Sequence, residues 1–329
     1  MGAKSSRPMQ SCDIRTAAII YNPTSGRNRA RRRHALEEAA RILREAGIDA
    51  GLLPTTCAGS ATELARDAAA RGCEMLVVCG GDGTINEVVN GIAGTQVPLA
   101  VLPAGTANIL AKELRIPWNI PAAARLIPNA KHVRVALGLA VWPPSSKNTP
   151  QQGPALPTER YFLCVAGAGP DGAIVHGVDV ERKLRVGILA YWLEGLRQFL
   201  TYPFPRFHVS SPEKQVAASL IVVGRTKHYG GPFRITTRAS LFDNQFEIVA
   251  YEGRSRLLLL ACLPAIWLGF LHRMPGIHAW KTARASSASS ADSKIFSQID
   301  GEAARALPVE FRVVPDALTL VVPRGHKEG

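Results

Sequence analysis

The chemistry in this chain is concentrated in residues 75–91, MLVVCGGDGTINEVVNG. Met75 to Cys79 are apolar, with two β-branched valines, as a buried parallel strand requires. Gly80, Gly81, Asp82, Gly83 and Thr84 follow at once, and then Ile85, Val88, Val89 and Ile92 recur at helical spacing. A strand, a glycine turn and a helix N-terminus present open backbone N–H groups to a phosphate. Glycines let the backbone approach that anion closely. The carboxylate of Asp82 would repel a bare phosphate, so its presence implies a metal ion or a proton to be removed. Together these features point to phosphoryl transfer. Alternatively, Gly-Gly-Asp-Gly is only a tight connection in which Asp82 caps the next helix.

Three further polar turns favour the first reading. Residues 16–21 (TAAIIY) form an expected strand that ends in Asn22-Pro23-Thr24-Ser25-Gly26, and residues 99–102 form another that ends in Pro103-Ala104-Gly105-Thr106-Ala107-Asn108. A strand at 50–53 ends in Thr55-Thr56. In parallel sheets ligands bind beyond the carboxyl ends of the strands, so these turns can converge on one crevice. The helix after the first turn opens with an arginine cluster at 27–33, against the preference of the helix dipole for acidic groups. Either this is a solvated face or an anion is recruited there. Residues 60–71 predict a second helix with a capping box, Ser60 with Glu63.

With 329 residues, 47% hydrophobic and 20% charged, the chain has material for two domains and is not disordered. A net charge of +13 suits nucleic acid, an anionic membrane or phosphorylated small molecules. Nucleic acid is the weaker inference, because aromatics are only 6% and no zinc-finger or RNP-like pattern occurs. The six cysteines include no CxxC pair and no signal-like leader is seen, so a reducing, cytoplasmic location is expected. The first six residues fit the loose myristoylation pattern.

Strand and helix alternate through the first ~130 residues with short loops, the signature of a parallel α/β sheet. From residue 131 the texture changes to strands at 131–141, 160–166, 216–224, 231–238 and 245–251, with an Asp243-Asn244 hairpin turn and a long helix at 180–200. Residues 143–158, rich in Pro, Ser and Gln, read as an exposed loop. Residues 257–271 (LLLLACLPAIWLGFL) are the most apolar stretch, too short to span a bilayer and broken by Pro264. They pack on the β domain or form an apolar wall facing an acyl chain or membrane. Ile299-Asp300-Gly301-Glu302 places two carboxylates at an Asp-Gly hairpin, between a strand at 294–299 and closing strands at 308–313 and 317–322.

At this point the chain resembles the diacylglycerol kinase catalytic-domain family, which includes bacterial lipid kinases, sphingosine kinases and ceramide kinases. The matching pieces are IIYNPTSG (19–26), TTCAGSATELA (55–65), VVCGGDGTINEVVNG (77–91) and LAVLPAGTANILAKEL (99–114). AGAGPDG (166–172), YGGPFRITTRASLFDNQFEIV (229–249) and QIDGEAA (298–304) continue in the family's order.

The resemblance implies a flexible arm at 1–15, a Rossmann-like parallel α/β nucleotide domain at 16–130, and a mainly β domain at 131–329. The latter is an antiparallel β-sandwich whose last strands can return to the first domain, with the active site in the cleft between them. It implies a cytoplasmic kinase, peripherally attached to membrane, that uses ATP and Mg²⁺ to phosphorylate the hydroxyl of a lipid such as a diacylglycerol or sphingoid base. Asn22, Thr24, Ser25 and Gly26 match the first phosphate loop, Thr55 a nucleotide contact, and Gly81, Asp82, Gly83, Thr84 and Thr106 the phosphate and Mg²⁺ loops. Asp300 and Glu302 match the acidic pair at the reacting end, with Asp300 the expected general base and Asp82 its rival. Asp82 and Glu302 are the expected metal carboxylates, directly or through water, and Asp171 the expected contact to a lipid headgroup.

Two positions depart from the family pattern: Val135-Ala136-Leu137 lacks an acidic residue carried by many relatives, and Ile109 follows Asn108 where Asp is frequent. Both thin the acidic shell. The alternatives are a soluble-metabolite kinase of the NAD-kinase type, which shares the GGDG turn, and a nucleotide- or lipid-binding regulator without turnover. Exposed strands in the β domain leave room for a homodimer.

Overall fold

The computed structural model describes residues 14–25, 29–144, 157–177, 195, 197–198, 201–230, 233–289 and 294–326. Gly26, Arg27, the myristoylation-like N-terminus and most of the helix expected at 180–200 lie outside them, as do residues 145–156 of the expected exposed loop. The chain divides into one unit made of residues 1–137, 241–244 and 314–329 and another made of residues 138–240 and 245–313.

The first unit begins with β1 (Thr16–Tyr21), α1 (Arg29–Glu45), β2 (Asp49–Pro54), α2 (Ser60–Ala70), β3 (Met75–Gly80), α3 (Asp82–Ile92) and β4 (Pro98–Pro103). The short helices α4 (Ile109–Glu113) and α5 (Ile120–Leu126) follow. Strands β2, β1, β3 and β4 lie side by side and run parallel. All side chains of β3 and β4 are buried, which accounts for their unbroken apolar sequences. Helix α1 packs on α5, and α2 on α3. The chain leaves this unit along β5 (Lys131–Val141) and returns along β18 (Val309–Val322), whose Thr319 and Leu320 pair in parallel with Pro98 and Leu99 of β4. The two closing strands expected at 308–313 and 317–322 are thus one 14-residue strand.

The cap of α2 differs from the sequence expectation. The capping residue is Gly59, in the left-handed region, and the Ser60 hydroxyl turns back to accept from Thr56 and Cys57 and to donate to the Cys57 carbonyl. Glu87 of α3 does the capping instead, accepting the N–H groups of Gly59 at 2.9 Å and Ala61 at 3.1 Å. A carboxylate at that helix end satisfies both open donors and the dipole.

The second unit holds β6 (Glu159–Phe162), β7 (Val165–Ala168), α6 (Pro170–Gly177), β8 (Phe207–Ser210), β9 (Gln215–Ala218), β10 (Leu220–Gly224), β11 (His228–Tyr229) and β12 (Phe233–Arg234). After these come β13 (Phe246–Tyr251), α7 (Arg256–Leu268), β14 (Ile277–Thr282), β15 (Arg284–Ser289), β16 (Phe296–Ile299) and β17 (Glu302–Ala306). One antiparallel sheet has the order β14-β13-β10-β7-β16-β17, and β9, β8, β15 and the first part of β18 pair antiparallel in another. Phe162, Phe207, Phe246, Ile221, Ile299 and Phe311 fill the core of this sandwich. The strand expected at 231–238 shrinks to the two residues of β12, and Asp243-Asn244 is no hairpin tip, since residues 241–244 cluster with the first unit, where Phe242 packs on His326. Strand β15 (RASSAS) escapes the sequence pattern because small polar residues give no alternation of hydrophobicity.

Candidate active site

In the first unit the parallel register brings four polar turns to one edge of the sheet. Backbone bonds fix three of them to neighbouring strands: Asn22 N–H to the Cys79 carbonyl (3.1 Å), Thr55 N–H to Tyr21 (2.9 Å) and Ala104 N–H to Gly80 (3.1 Å). The Asn22 side-chain oxygen accepts both the N–H (2.9 Å) and the hydroxyl (2.7 Å) of Thr24, forming an Asx-type turn. Ser25 N–H returns to the Asn22 carbonyl at 3.2 Å. Thr24 is exposed and Asn22, Ser25 and Thr55 are partly exposed.

The GGDGT and PAGTAN turns touch backbone to backbone. A Cβ on Gly105 would overlap the Gly81 Cα, and one on Gly80 would run into the Thr84 side chain, so glycine is a steric requirement at both places. Asn108, in the left-handed region, clips its own turn by accepting Gly105 N–H (3.1 Å) and donating to the Gly105 carbonyl (3.0 Å). The cap of α3 is Gly81, in extended conformation, and Asp82 is the first helical residue. Asp82 accepts the Ile109 N–H at 2.7 Å, at the start of α4. The Ile109 departure therefore changes the side chain but keeps a backbone donor on Asp82. Gly81, Asp82, Gly83 and Thr84 are partly exposed, and Thr106 is exposed.

Two cations complete this edge, and the motifs alone did not single them out. Burial pushes the Lys112 ammonium of α4 down from the usual lysine range, opposed by the negative charge of Asp82 nearby. Of the arginine cluster, Arg31 and Arg33 are exposed, with Arg33 paired to Glu37, whereas Arg32 is half-buried and its charge acts on the Cys79 thiol at the end of β3. Burial still pushes that thiol up to about 12. The cluster thus combines exposed arginines with one half-buried guanidinium whose charge reaches the end of β3.

In the second unit, Asp300 and Gly301 form a two-residue hairpin turn with φ of 47° and 79°, the left-handed pair that Asp-Gly favours. Asp300 is only 5% exposed. Its carboxylate accepts three backbone N–H groups, from Leu163 (2.9 Å), Cys164 (3.0 Å) and Val165 (2.8 Å). Its own N–H binds the Val165 carbonyl at 2.7 Å. Glu302 pairs with Arg160 of β6 at 2.7 Å.

Asp171, expected at a lipid headgroup, is buried at the start of α6. Tyr229 donates its hydroxyl to one carboxylate oxygen, and Gln298 donates to the other at 2.9 Å. Burial raises the Asp171 carboxyl above its usual range despite these two donors, and burial with the neighbouring acid pushes the Tyr229 phenol well above 10. A Cβ on Gly167 would overlap Asp171, whereas one on Gly169 would meet the Ser219 carbonyl and one on Gly172 the Phe296 carbonyl. Asp171 is therefore part of an internal network, with Tyr229 and Gln298 as partners that spacing did not reveal. The 229–249 motif supplies similar supports: Thr236 donates to the Thr226 carbonyl at 2.7 Å, and buried Glu247 accepts from Arg238 at 2.7 Å and 2.9 Å.

Among the described residues no three His, Cys, Asp or Glu side chains gather into a metal cage. The donor set fits a hard cation such as Mg²⁺, which keeps several waters and is held by one or two carboxylates together with substrate phosphates. Asp82 lies beside the glycine turns, and Glu302 is paired with Arg160.

Residues 16–140 match the model of the diacylglycerol kinase catalytic domain, and residues 164–322 that of the YegS C-terminal NAD kinase beta sandwich-like domain. A diacylglycerol kinase of Bacillus subtilis is 29% identical over 320 residues, covering 96% of this chain and 99% of the relative. One from Mycobacterium tuberculosis is 28% identical over 316 residues, covering 95% and 96%. The solved structure of a diacylglycerol kinase from Bacillus anthracis superposes with a TM-score of 0.72 at 20% identity, over 95% of this chain and 99% of that one, and shares the fold.

Proposed function

Through residues 16–140 the chain belongs to the diacylglycerol kinase catalytic-domain family, and from that premise we propose that it is a lipid kinase using ATP and Mg²⁺. The observation that carries the reading is the backbone contact between the Gly81 and Gly105 turns at the ends of adjacent parallel strands, beside the start of α3. Such a place suits the phosphates of a nucleotide. Asn22, Thr24, Ser25, Gly26, Thr55, Gly81, Gly83, Thr84 and Thr106 are the proposed nucleotide residues, with Lys112 as an added cation. Asp82 and Glu302 are the proposed metal carboxylates, directly or through water. The bound ion would offset charge on the phosphate oxygens.

In the reaction the lipid hydroxyl oxygen forms a bond to the γ-phosphorus, the bond from that phosphorus to the bridging oxygen breaks, and ADP leaves. The hydroxyl proton passes to a carboxylate. We assign it to Asp300, whose three backbone donors hold its orientation fixed. A second reading gives this proton to Asp82, favoured by its greater exposure. The substrate class is a lipid bearing a free hydroxyl, a diacylglycerol or a sphingoid-type base, met by peripheral attachment to a membrane surface. No helix among the described residues is long and apolar enough to cross a membrane.

The test is transfer from γ-labelled ATP with Mg²⁺ to diacylglycerol, sphingoid base and NAD, in mixed micelles for the lipids. A labelled lipid, lost in both Asp82→Ala and Asp300→Asn, is the expected result. Label on NAD alone would replace the reading with a metabolite kinase, an outcome worth including because residues 164–322 match an NAD kinase-like sandwich. ATP binding with no transfer to any acceptor would leave a non-catalytic binding protein.

A further inference from the structure

We infer that the outward face of α7 is a docking surface for an anionic lipid bilayer, a proposal that deepens the lipid-kinase reading and rests on it for its biological sense. Surface helices divide into an apolar and a polar side, and a helix apolar all round belongs in a core. Helix α7, RLLLLACLPAIWL, has no polar side yet lies at the surface. Its inner positions, Cys262 and Ile266, pack with Val249 and Leu271. Its outer positions are as apolar as the inner ones. Leu257 is 79% and Trp267 75% exposed, with Leu260, Leu263 and Leu268 beside them. Of the large apolar side chains exposed among the described residues, all but Trp118 lie on this helix.

Such a face calls for an apolar medium, and the charges around it say which. The helix contains no acidic residue, and its one charge, Arg256, is at its first position. Arg254 precedes it and His272 and Arg273 follow it, all exposed. Cations at both ends and apolar residues between them match the layering of an anionic membrane interface, where the charges meet headgroups and leucines and tryptophan enter the acyl boundary. The chain's net charge of +13 adds to that attraction. At 13 residues the helix reaches about 20 Å, short of the ~30 Å hydrocarbon core, so it lies in the interface plane.

The experiment measures sedimentation of the full chain with vesicles of phosphatidylglycerol and phosphatidylcholine and with phosphatidylcholine alone. Wild type, Leu260→Glu, Trp267→Glu and the double variant are compared, with circular dichroism melts to verify folding. We expect binding to the anionic vesicles that weakens with salt and falls about tenfold or more in the double variant. As a measurement on unaltered protein, brominated lipid should quench tryptophan emission, and Trp267→Phe should remove that quenching. Equal vesicle binding by wild type and the double variant, or no binding by wild type, would overturn the proposal. So would a wild-type dimer that the double variant splits with vesicle binding unchanged, because the face would then join two copies. Transfer to a dispersed short-chain lipid, which needs no docking, is assayed alongside and should be equal in all variants. Its failure in every variant, with the vesicle results as expected, would overturn the kinase reading and still support the docking surface.

Discussion

Gln298 joins two parts of the second unit, donating its side-chain N–H to the buried carboxylate of Asp171 at 2.9 Å and accepting the backbone N–H of Gly301 at 2.8 Å. The hairpin that carries Asp300 and Glu302 is thereby tied to the start of α6. Buried polar groups left without partners cost about 1–3 kcal/mol each. Gln298→Leu strands both neighbours, so urea unfolding should show a loss of that order, with turnover falling as well. Gln298→Glu places a second carboxyl against Asp171 and should be more destabilising at neutral pH than in mild acid.

Gly105→Ala should weaken nucleotide binding by about tenfold or more and cost ~1–3 kcal/mol, because the new methyl meets backbone that has no rotamer to escape through. Isothermal titration with a non-hydrolysable ATP analogue and thermal melts measure the two effects. The same substitution at Gly47, an exposed position just beyond the end of α1 with nothing within 4 Å, strains a positive φ but should leave nucleotide affinity unchanged.

The two acidic candidates separate by binding. Asp300→Asn should lower kcat by roughly 10²–10⁴ while sparing ATP affinity, as expected when a general base is lost. Asp82→Asn should weaken Mg²⁺-ATP binding as well as turnover, since that carboxylate lies among the phosphate-type turns and accepts the Ile109 N–H. If Asp82→Asn alone lowers kcat with binding intact, the base is Asp82.

His176 gives the fold an acid-sensitive point. Its ring stacks on Phe296 and bonds the Ala304 carbonyl at 2.7 Å, and burial is the main cause that lowers its pKa below 6.5. His132 is shifted in the same direction by burial. In the unfolded chain both take up a proton near 6.5 that the folded protein resists, so the stability they contribute is present above that pH and is lost as pH falls through it. Melting temperatures should drop between about pH 7.5 and 5.5, and His176→Gln should flatten part of that slope. An unchanged slope would place the acid sensitivity elsewhere.

The sequence by itself determined the features that depend on neighbours along the chain. The apolar run at 75–79 with its glycine turn is β3 and the start of α3, and Asp300-Gly301 is a two-residue hairpin turn. Strand period, turn residues and helix period are local signals, and the parallel direction of the first strands follows from their alternation with helices. Only the tertiary structure decided which distant group meets which. Glu87 caps α2 where Ser60 and Glu63 offered a local pattern, Asp82 serves the start of α4, and Asp171 turns inward to Tyr229 and Gln298. A carboxylate in a motif looks the same whether it faces a ligand or a buried donor, because the choice is made by residues up to 142 positions away. The same holds for α7. Its composition marked it as apolar, but which of its faces is covered depends on how much apolar surface the rest of the second unit offers, and that surface reaches only one side.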